Sequence, residues 1–273
     1  MIPAALEYVR PGSLEEALAE LADPDAKAIA GGHSLVPMLK LRLARPSRLV
    51  DLGSLGLRGA AVTGGALRIG ALTTYDDLLL LGPETPVPDA LRDCAAAVGD
   101  VQIRNAGTLG GGLAHGDPAS DIAAGVIATG ATLVICSPSG TREVAADQFF
   151  LGPFTTVLEQ QELLTELVVP LPAAGEGSAY VAFEDPASGY PLAGAAVRVH
   201  PGGFVVGLTG LAAHPLRARS VEEAMATGSD LDAALDRVPV LADDGDVDYR
   251  RRLAAVVVKR ALAAARARAE TRA

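Results

Sequence analysis

The sequence predicts an α+β fold, and three observations support that prediction. Residues 1–54 alternate short apolar strands with helical patterns, as in a compact βαβαβ unit. Residues 55–172 contain two β-hairpin patterns and several helical ones. After a linker-like AAGEG at 173–177, residues 177–273 show antiparallel strand patterns followed by helices. We therefore expect three consecutive segments: 1–54, 55–172 and 177–273.

The N-terminal unit begins with a strand that Pro11 ends, and Ser13 and Glu16 then form a capping-box pattern for the first helix. A double glycine separates the second strand from the second helix, for which Ser34 is a suitable N-cap. The expected elements are strands 6–10, 28–30 and 48–52 and helices 14–21 and 35–42.

Hairpins and helices are expected to alternate in the middle segment, and antiparallel strands to open the last one. The middle elements are strands 60–63, 66–71, 131–136, 141–144 and 163–169 and helices 75–81, 89–98 and 122–129. The last segment has strands 179–184, 192–200 and 204–212 and helices 221–227 and 249–268.

Composition excludes several classes of protein. Only 4% of the residues are aromatic and none is Trp, so the core must be built from Ala, Val, Leu and Ile. The net charge of −10 argues against nucleic acid as a general partner. Residues 250–273 nevertheless hold eight Lys or Arg and one acidic residue. This basic helix either meets an acidic partner surface or is an ordinary solvated face.

The two cysteines, Cys94 and Cys136, match no metal or redox spacing, and free thiols are expected. The chain is therefore not expected to hold an iron–sulfur cluster, a thiolate zinc site or another metal centre by itself. The N-terminus lacks a signal-peptide pattern, and no apolar run of about 18 residues is present. We expect a soluble, cytoplasmic protein.

The first glycine cluster, Gly31-Gly32, lies between a strand and a helix start. Backbone amides converge at such a turn, and the helix dipole adds partial positive charge, which makes it an anion cradle. No Lys or Arg lies inside the turn, so the backbone alone would hold the anion. A diphosphate suits this arrangement; the alternative is an ordinary connecting loop.

A second cluster places four glycines in residues 107–112. Glycine is required where φ is positive or where a ligand approaches the backbone closely. Two glycine loops, each before a helix start, suit one long ligand that carries a diphosphate. Asp117 and Asp121 follow, and they could accept hydrogen bonds from its hydroxyl or ring N–H groups. Helix capping is the alternative for both, and it is as plausible for Asp117 because Pro118 follows it.

Other chemistries lack their motifs. The segment Gly32-His33-Ser34 begins like a nucleophile elbow, but Val36 stands where the final glycine is required. There is no P-loop, and residues 107–112 do not read GxGxxG. The four histidines have no metal-binding spacing. His115 is either a base beside an Asp or, more commonly for such a residue, structural.

Three segments together resemble a known family. They are AGGHSLVPMLKLRLARPSRLVDL at 30–52, RNAGTLGGGLAHGDPASD at 104–121 and SGYPLAGAAV at 188–197. The chain resembles the FAD-binding medium subunit of molybdenum hydroxylases, the family of xanthine dehydrogenase and aerobic carbon monoxide dehydrogenase. The Gly-His-Ser form of the first segment is most similar to the carbon monoxide dehydrogenase members.

The resemblance implies a fold and a cofactor site. The fold is the FAD-binding domain of the molybdenum hydroxylase/vanillyl-alcohol-oxidase type, with two α/β subdomains, followed by an antiparallel sheet with helices. Asp117 and Asp121 would hold polar groups of FAD, Leu164 would pack near the isoalloxazine, and Tyr190 would lie at the reactive edge of the flavin as a catalytic residue. The residues implied around the diphosphate and ribityl chain are Ala30, Gly31, Gly32, His33, Ser34, Leu35, Thr108, Leu109, Gly110, Gly111 and Gly112.

The resemblance also implies a role in a complex. A large subunit would carry the molybdenum cofactor, and a small subunit would carry [2Fe–2S] clusters that pass electrons to FAD on this chain. The complex would be a dimer of heterotrimers, and its external acceptor would be a quinone, NAD or oxygen. The alternatives are a stand-alone flavin oxidase or dehydrogenase of the same fold and a cofactor-free scaffold or nucleotide-binding subunit.

Three departures from the family pattern bear on the site. Gly112 stands where the family usually has Ser, Asn or Asp, and Ala106 replaces a frequent Arg. Residues 183–188 are acidic where the family is usually basic. The first departure would remove one side-chain contact to the cofactor, and the last would alter the edge of the flavin or a partner contact.

Overall fold

The N-terminal unit has the predicted βαβαβ order in a computed structural model that describes residues 2–241 and 246–272. Its elements are β1 (Glu7–Val9), α1 (Leu14–Glu20), β2 (Ala26–Ile29), α2 (Leu35–Lys40) and β3 (Arg48–Asp51). The strands form a parallel sheet in the order β1-β3-β2. The Ser13 side chain caps α1 by accepting from the amide of Glu16, as predicted, whereas the Glu16 carboxylate accepts from Gly12 instead of the cap residue.

The middle segment is an antiparallel five-stranded sheet covered by helices. The two predicted hairpins lie at its edges, and the strand predicted at 163–169 joins them in the order β4-β5-β10-β6-β7. The elements are β4 (Ala60–Thr63), β5 (Ala66–Gly70), α3 (Tyr75–Leu80), α4 (Asp89–Ala97), α5 (Val101–Ala106), α6 (Leu109–His115), α7 (Asp121–Thr129), β6 (Thr132–Ser137), β7 (Gly140–Ala145), β8 (Phe150–Gly152), β9 (Thr155–Thr156) and β10 (Leu163–Pro170).

The last segment is a four-stranded antiparallel sheet, in the order β11-β12-β13-β14, against which three helices pack. Its elements are β11 (Gly177–Glu184), β12 (Pro191–His200), β13 (Gly203–Thr209), β14 (Leu216–Arg217), α8 (Arg219–Thr227), α9 (Leu231–Leu235) and α10 (Val247–Thr271). Helix α10 packs on this core through Val257, Ala261 and Ala265, which are buried.

Helix α7 lies buried between the middle and last segments, and it positions one of the predicted site residues. All nine of its residues are buried. The backbone of β13 touches it directly: a Cβ at Gly207 would lie well under 3.0 Å from the carbonyl oxygen of Ala124. The Thr209 hydroxyl and the Gly210 amide both donate to the carbonyl of Pro118, each at 2.8 Å. The antiparallel sheet therefore fixes the turn that leads into α7.

A second set of contacts joins α10 to α4 and β11. Arg268 donates to the Asp93 carboxylate at 2.6 Å and to the carbonyl of Ser178 at 2.8 Å, and the same carboxylate accepts from the amide of Tyr180. Each segment has its own hydrophobic cluster, although Tyr180 and Ala196 of the last segment belong to the cluster of the middle one. The boundaries at 54 and 172–177 stay a prediction.

Several local predictions were wrong in extent or omitted an element. Helix α2 ends two residues before Arg42, which has a positive φ of 58°. Residues 101–106, for which no element was predicted, form helix α5, and Gly110 to Gly112 lie inside helix α6. The short elements β8, β9, β14 and α9 were not predicted. Among the described residues, no helix combines the length and apolarity needed to cross a membrane.

Candidate cofactor site

The first glycine cluster forms an open row of backbone donors between β2 and α2. Gly32 has a φ of +74°, a conformation that L side chains rarely adopt, and it turns the chain into the helix. Within the described part of the chain, the amides of residues 31–35 have no acceptor, and the first one used is that of Val36, which donates to the Gly32 carbonyl at 2.8 Å. His33 and Ser34 are exposed. Unpaired consecutive amides at a turn are what an anion requires.

The predicted capping role of Ser34 is wrong. Its backbone is already helical, with φ −92° and ψ −48°, and its side chain accepts no capping hydrogen bond. An N-cap residue needs an extended backbone to turn its oxygen toward the first-turn amides. Those amides therefore stay free for another acceptor, which strengthens the interpretation of this turn as an anion cradle. Pro37 lies in the first turn, as predicted.

The second glycine cluster is not a loop, and its first-turn amides are already paired. Thr108 caps α6 by accepting from the amide of Gly111 at 3.1 Å. The amides of Leu109 and Gly110 donate to the carbonyls of Thr73 and Ala71. None of these glycines has a positive φ. Leu109 is 1% exposed and belongs to the core. The second cluster therefore positions the N-terminus of α6 at the site, whereas the free hydrogen-bond donors are the amides of the first cluster.

Close packing explains why the second cluster needs glycine. A Cβ at Gly110 would lie 2.5 Å from the Cβ of Ala71, and one at Gly107 would lie 2.9 Å from the Tyr75 ring. The two clusters also meet, because a Cβ at Gly31 would collide with the carbonyl of Ala106. A Cβ at Gly111 would lie 3.7 Å from that of Ala30. The structure thus brings the two predicted segments together through glycine contacts.

Asp121 is the first residue of α7 and the most perturbed acid near the site. It is 8% exposed, and its Oδ1 accepts from the Tyr180 hydroxyl at 2.5 Å. Burial raises its pKa to about 6, against the lowering effect of that hydrogen bond. Glu184 and Asp117 raise the pKa further through their negative charge. The buried carboxyl thus binds Tyr180, a partner the sequence did not suggest.

Asp117 holds a turn and does not cap a helix. Its Oδ1 accepts from the amide of Ala119 at 2.9 Å, and its carbonyl accepts from Ser120, which is the residue before α7. The helix-capping alternative is therefore wrong for Asp117. Its negative charge also affects Tyr190. Burial is the main cause that raises the pKa of Tyr190, and the charges of Asp117 and Asp121 raise it further.

Tyr190 is 54% exposed at the end of the acidic segment 183–188. Asp185 organises that segment, since its carboxylate accepts from the amides of Ala187 and Ser188 and its amide donates to the carbonyl of Tyr190. One acidic side chain of the segment, that of Asp185, thus has a structural role. The exposed ring near Asp117 and Asp121 is consistent with the predicted position of Tyr190, whose role stays a prediction.

Tyr75, which was not predicted, lies at the centre of this arrangement. Its side chain is 6% exposed, and a Cβ at Gly112 would lie well under 3.0 Å from its hydroxyl. Burial raises its pKa, and Asp121 and Tyr190 add to the effect. The sequence signal was weak: Tyr75 follows the Thr74 cap and reads only as the first residue of a helix.

Other candidate residues have ordinary surroundings. Leu164 is 6% exposed in β10, opposite Ile135, and belongs to the core of the middle sheet. His115 packs on Phe154 with a ring-centroid distance of 5.1 Å, and burial lowers its pKa. Cys94 is buried and Cys136 half-buried, and both are free thiols. The described residues contain no group of three or more His, Cys, Asp or Glu that could hold a metal ion.

The geometry fits a dinucleotide cofactor with a diphosphate. Free amides at 31–35 can donate hydrogen bonds to the anion, and Gly31 and Gly111 keep side chains away from the junction of the two segments. Tyr75, Asp121 and Tyr190 form a second polar region, close enough together for the charges of Asp121 and Tyr190 to affect Tyr75. A ligand with an anionic middle and a polar aromatic end matches both regions.

Comparisons with known proteins agree with this geometry. Residues 4–172 match the family described as the FAD binding domain in molybdopterin dehydrogenase, and the chain belongs to that family. It is 40% identical to the carbon monoxide dehydrogenase medium chain of Hydrogenophaga pseudoflava, over 98% of this chain and 99% of the relative. It is 36% identical to the glyceraldehyde dehydrogenase medium chain of Sulfolobus acidocaldarius, over 82% of each.

The fold is also that of a solved structure. The chain matches a chain of the reconstituted CO dehydrogenase from Oligotropha carboxidovorans with a TM-score of 0.91 and 35% identity, over 98% of this chain and 100% of the other. The predicted family, fold class and cofactor are thereby confirmed.

Proposed function

We propose that this chain is the FAD-binding electron-transfer subunit of a molybdenum hydroxylase complex. The observation that carries the proposal is the row of amides at 31–35, which are unpaired within the described residues and are held against the end of α5 by the Gly31 contact with Ala106. FAD, when bound, accepts electrons one at a time or in pairs and so links iron–sulfur clusters to a two-electron acceptor. The backbone donors hold the diphosphate without a cationic side chain.

The partners follow from the relatives. A small subunit with [2Fe–2S] clusters would deliver electrons, and a large subunit with the molybdenum cofactor would oxidise the substrate, in a cytoplasmic dimer of heterotrimers. Relatives named for carbon monoxide and for glyceraldehyde share this type of chain. The substrate is therefore set by the partner, and this chain supplies a cofactor site, with a quinone, NAD or oxygen as acceptor.

Within the site, each group has a separate task. Residues 31–35 bind the diphosphate through their amides, and Thr108 fixes the helix beside it. Leu164 closes the apolar floor from β10. Tyr190 covers the flavin edge that faces the acceptor, and Asp121 supplies a carboxylate that gains a proton only as the pH falls to its pKa of about 6.

The first test is cofactor identification in the full chain, purified alone and with its co-expressed partners. The protein is denatured, and the released cofactor is identified by chromatography. Stoichiometric FAD is the expected result. If neither preparation contains FAD nor takes it up on addition, the proposal is wrong and a cofactor-free scaffold is favoured. Direct substrate turnover by the isolated chain would instead favour a stand-alone oxidase.

A matched pair of glycine variants tests the loop. Gly32→Ala should weaken FAD binding because a Cβ at a φ of +74° strains the turn that aligns the amides. Gly65→Ala introduces the same strain at a φ of +78°, but it lies in the β4–β5 turn with open space around it. Both should lose about 1 kcal/mol of stability, and only the first should lose FAD. Equal FAD occupancy in the two variants would contradict the role of the loop.

A further inference from the structure

Tyr75 combines a buried ring with a hydroxyl that has no partner. Its side chain is 6% exposed, yet within the described residues its hydroxyl makes no hydrogen bond. The other buried tyrosine, Tyr180, has its hydroxyl bonded to Asp121. The hydroxyl of Tyr75 is not sealed from solvent, so a bound molecule can reach it.

The Tyr75 hydroxyl lies against α6 at Gly112. A Cβ at Gly112 would collide with it, whereas the next atoms that this Cβ would meet are ordinary contacts, the Tyr75 Cζ at 3.5 Å and the Ile122 Cγ2 at 3.7 Å. Gly112 thus leaves room for one atom, the hydroxyl oxygen. The preceding residue, Gly111, lies close to Ala30, which leads into the amide loop. The hydroxyl is therefore held beside the second glycine cluster, near enough to Asp121 and Tyr190 for their charges to raise the pKa of the phenol.

We propose that Tyr75 is a cofactor-positioning residue whose hydroxyl bonds the flavin half of FAD, the ribityl–isoalloxazine portion, and that Gly112 is small in order to admit it. This inference rests on the proposed function and adds to it the part of the cofactor that Tyr75 meets. Because the phenol stays protonated well above neutral pH, it can act as a donor over the whole working range.

The experiment measures FAD binding to the full chain, co-expressed with its partners and freed of cofactor. Tyr75→Phe should raise the dissociation constant for FAD about tenfold, which corresponds to about 1.4 kcal/mol, and should shift the visible absorption bands of the bound flavin. Tyr249→Phe is the matched control, since Tyr249 is 47% exposed and belongs to α10, which carries none of the proposed cofactor residues. It should leave affinity and spectrum unchanged.

A second measurement uses the geometry at Gly112 and needs no cofactor. Gly112→Ala should lower the melting temperature of the FAD-free protein, because its Cβ collides with the Tyr75 hydroxyl. In the Tyr75→Phe background the same Cβ meets only Cζ at 3.5 Å, so the melting temperature should not fall. An equal loss in both backgrounds would overturn the assignment.

The outcomes separate the inference from the proposed function. If the wild-type complex takes up FAD but Tyr75→Phe binds it with unchanged affinity and spectrum, only the inference is wrong. If the wild type binds no FAD, both are wrong. Weaker binding together with a shifted spectrum and a background-dependent Gly112→Ala effect supports the assignment.

Discussion

Asp121→Asn should stabilise the FAD-free chain, and the gain should be largest at neutral and alkaline pH. The folded pKa of about 6 lies above the value of 3.8 for an unperturbed Asp. Because the folded chain binds this proton more tightly than the unfolded chain does, the protonated carboxyl contributes stability that is fully present below pH 4. That contribution is lost as the pH rises through 6. At about 1.4 kcal/mol per pKa unit, the wild type loses about 3 kcal/mol over this range.

The Asn variant does not titrate, and its side-chain oxygen can still accept from the Tyr180 hydroxyl. It loses the favourable interaction of a negative charge with the N-terminus of α7, worth roughly 0.3–1 kcal/mol. The net gain at pH 8 should be about 2 kcal/mol, or roughly 4–8 °C in melting temperature for a chain of this size. At pH 4.5 the gain should fall to about 1 kcal/mol or less, because the folded carboxyl is still protonated and only the unfolded one has begun to ionise.

The assay is thermal and urea unfolding of the FAD-free protein between pH 4.5 and 8.5. Tyr180→Phe is the opposing variant, because removal of the hydroxyl that lowers the Asp121 pKa should make the loss at pH 8 larger. A stability gain in Asp121→Asn that is the same at both ends of the pH range would refute the reasoning. So would a variant that is less stable than the wild type at pH 8.

Three other predictions follow from the contacts. Thr74→Ala should lower the free energy of unfolding by about 1 kcal/mol because it removes a formed capping box, whereas Ser34→Ala should leave the urea midpoint unchanged. Equal losses of stability in the two variants would contradict the observed caps. Gly31→Ala should lower the free energy of unfolding by about 1–3 kcal/mol and abolish FAD uptake, because its Cβ meets the rigid carbonyl of Ala106. A variant with the wild-type urea midpoint and full FAD content would contradict this contact. Arg268→Met should lower the free energy of unfolding by about 1 kcal/mol, since the bonds that join α10 to α4 are partly solvent-screened. In unfolding experiments at low and high salt, the wild type should lose stability with added salt and the variant should not.

Local patterns predicted most of the elements, because their determinants lie within a few residues. The Thr74 cap is an example: the predicted helix start is confirmed, and Asp77 completes the capping box from three residues away. The two hairpins are also confirmed with their turns. What the patterns could not predict is that β10 joins the hairpins into one sheet, because that pairing brings together residues about one hundred positions apart.

The glycines of the second cluster show where local reasoning fails. Four glycines near one another suggested a loop with positive φ values. The structure instead has a helix, and its glycines are explained by neighbours distant in sequence, such as Ala71 beside Gly110 and Tyr75 beside Gly112. Close backbone approach and ligand approach both select glycine. Only the identity of the neighbour distinguishes them, and the sequence does not contain it.

The candidate site therefore divides into a part that a sequence motif can reveal and a part that it cannot. The loop at 31–35 is local, and its free donors follow from a tight turn into a helix. Asp121 was a candidate from the sequence, but its partner Tyr180 was not, and Tyr75, a buried polar residue on another helix, becomes visible as a site residue only when its neighbours are known. Tyr180 satisfies Asp121, whereas within the described chain nothing satisfies the Tyr75 hydroxyl. Solvent can reach that hydroxyl in the cofactor-free chain, and a bound cofactor that accepts from it would replace water with a fixed partner. The Tyr75 hydroxyl thus becomes a site residue only through a group that the chain itself does not supply.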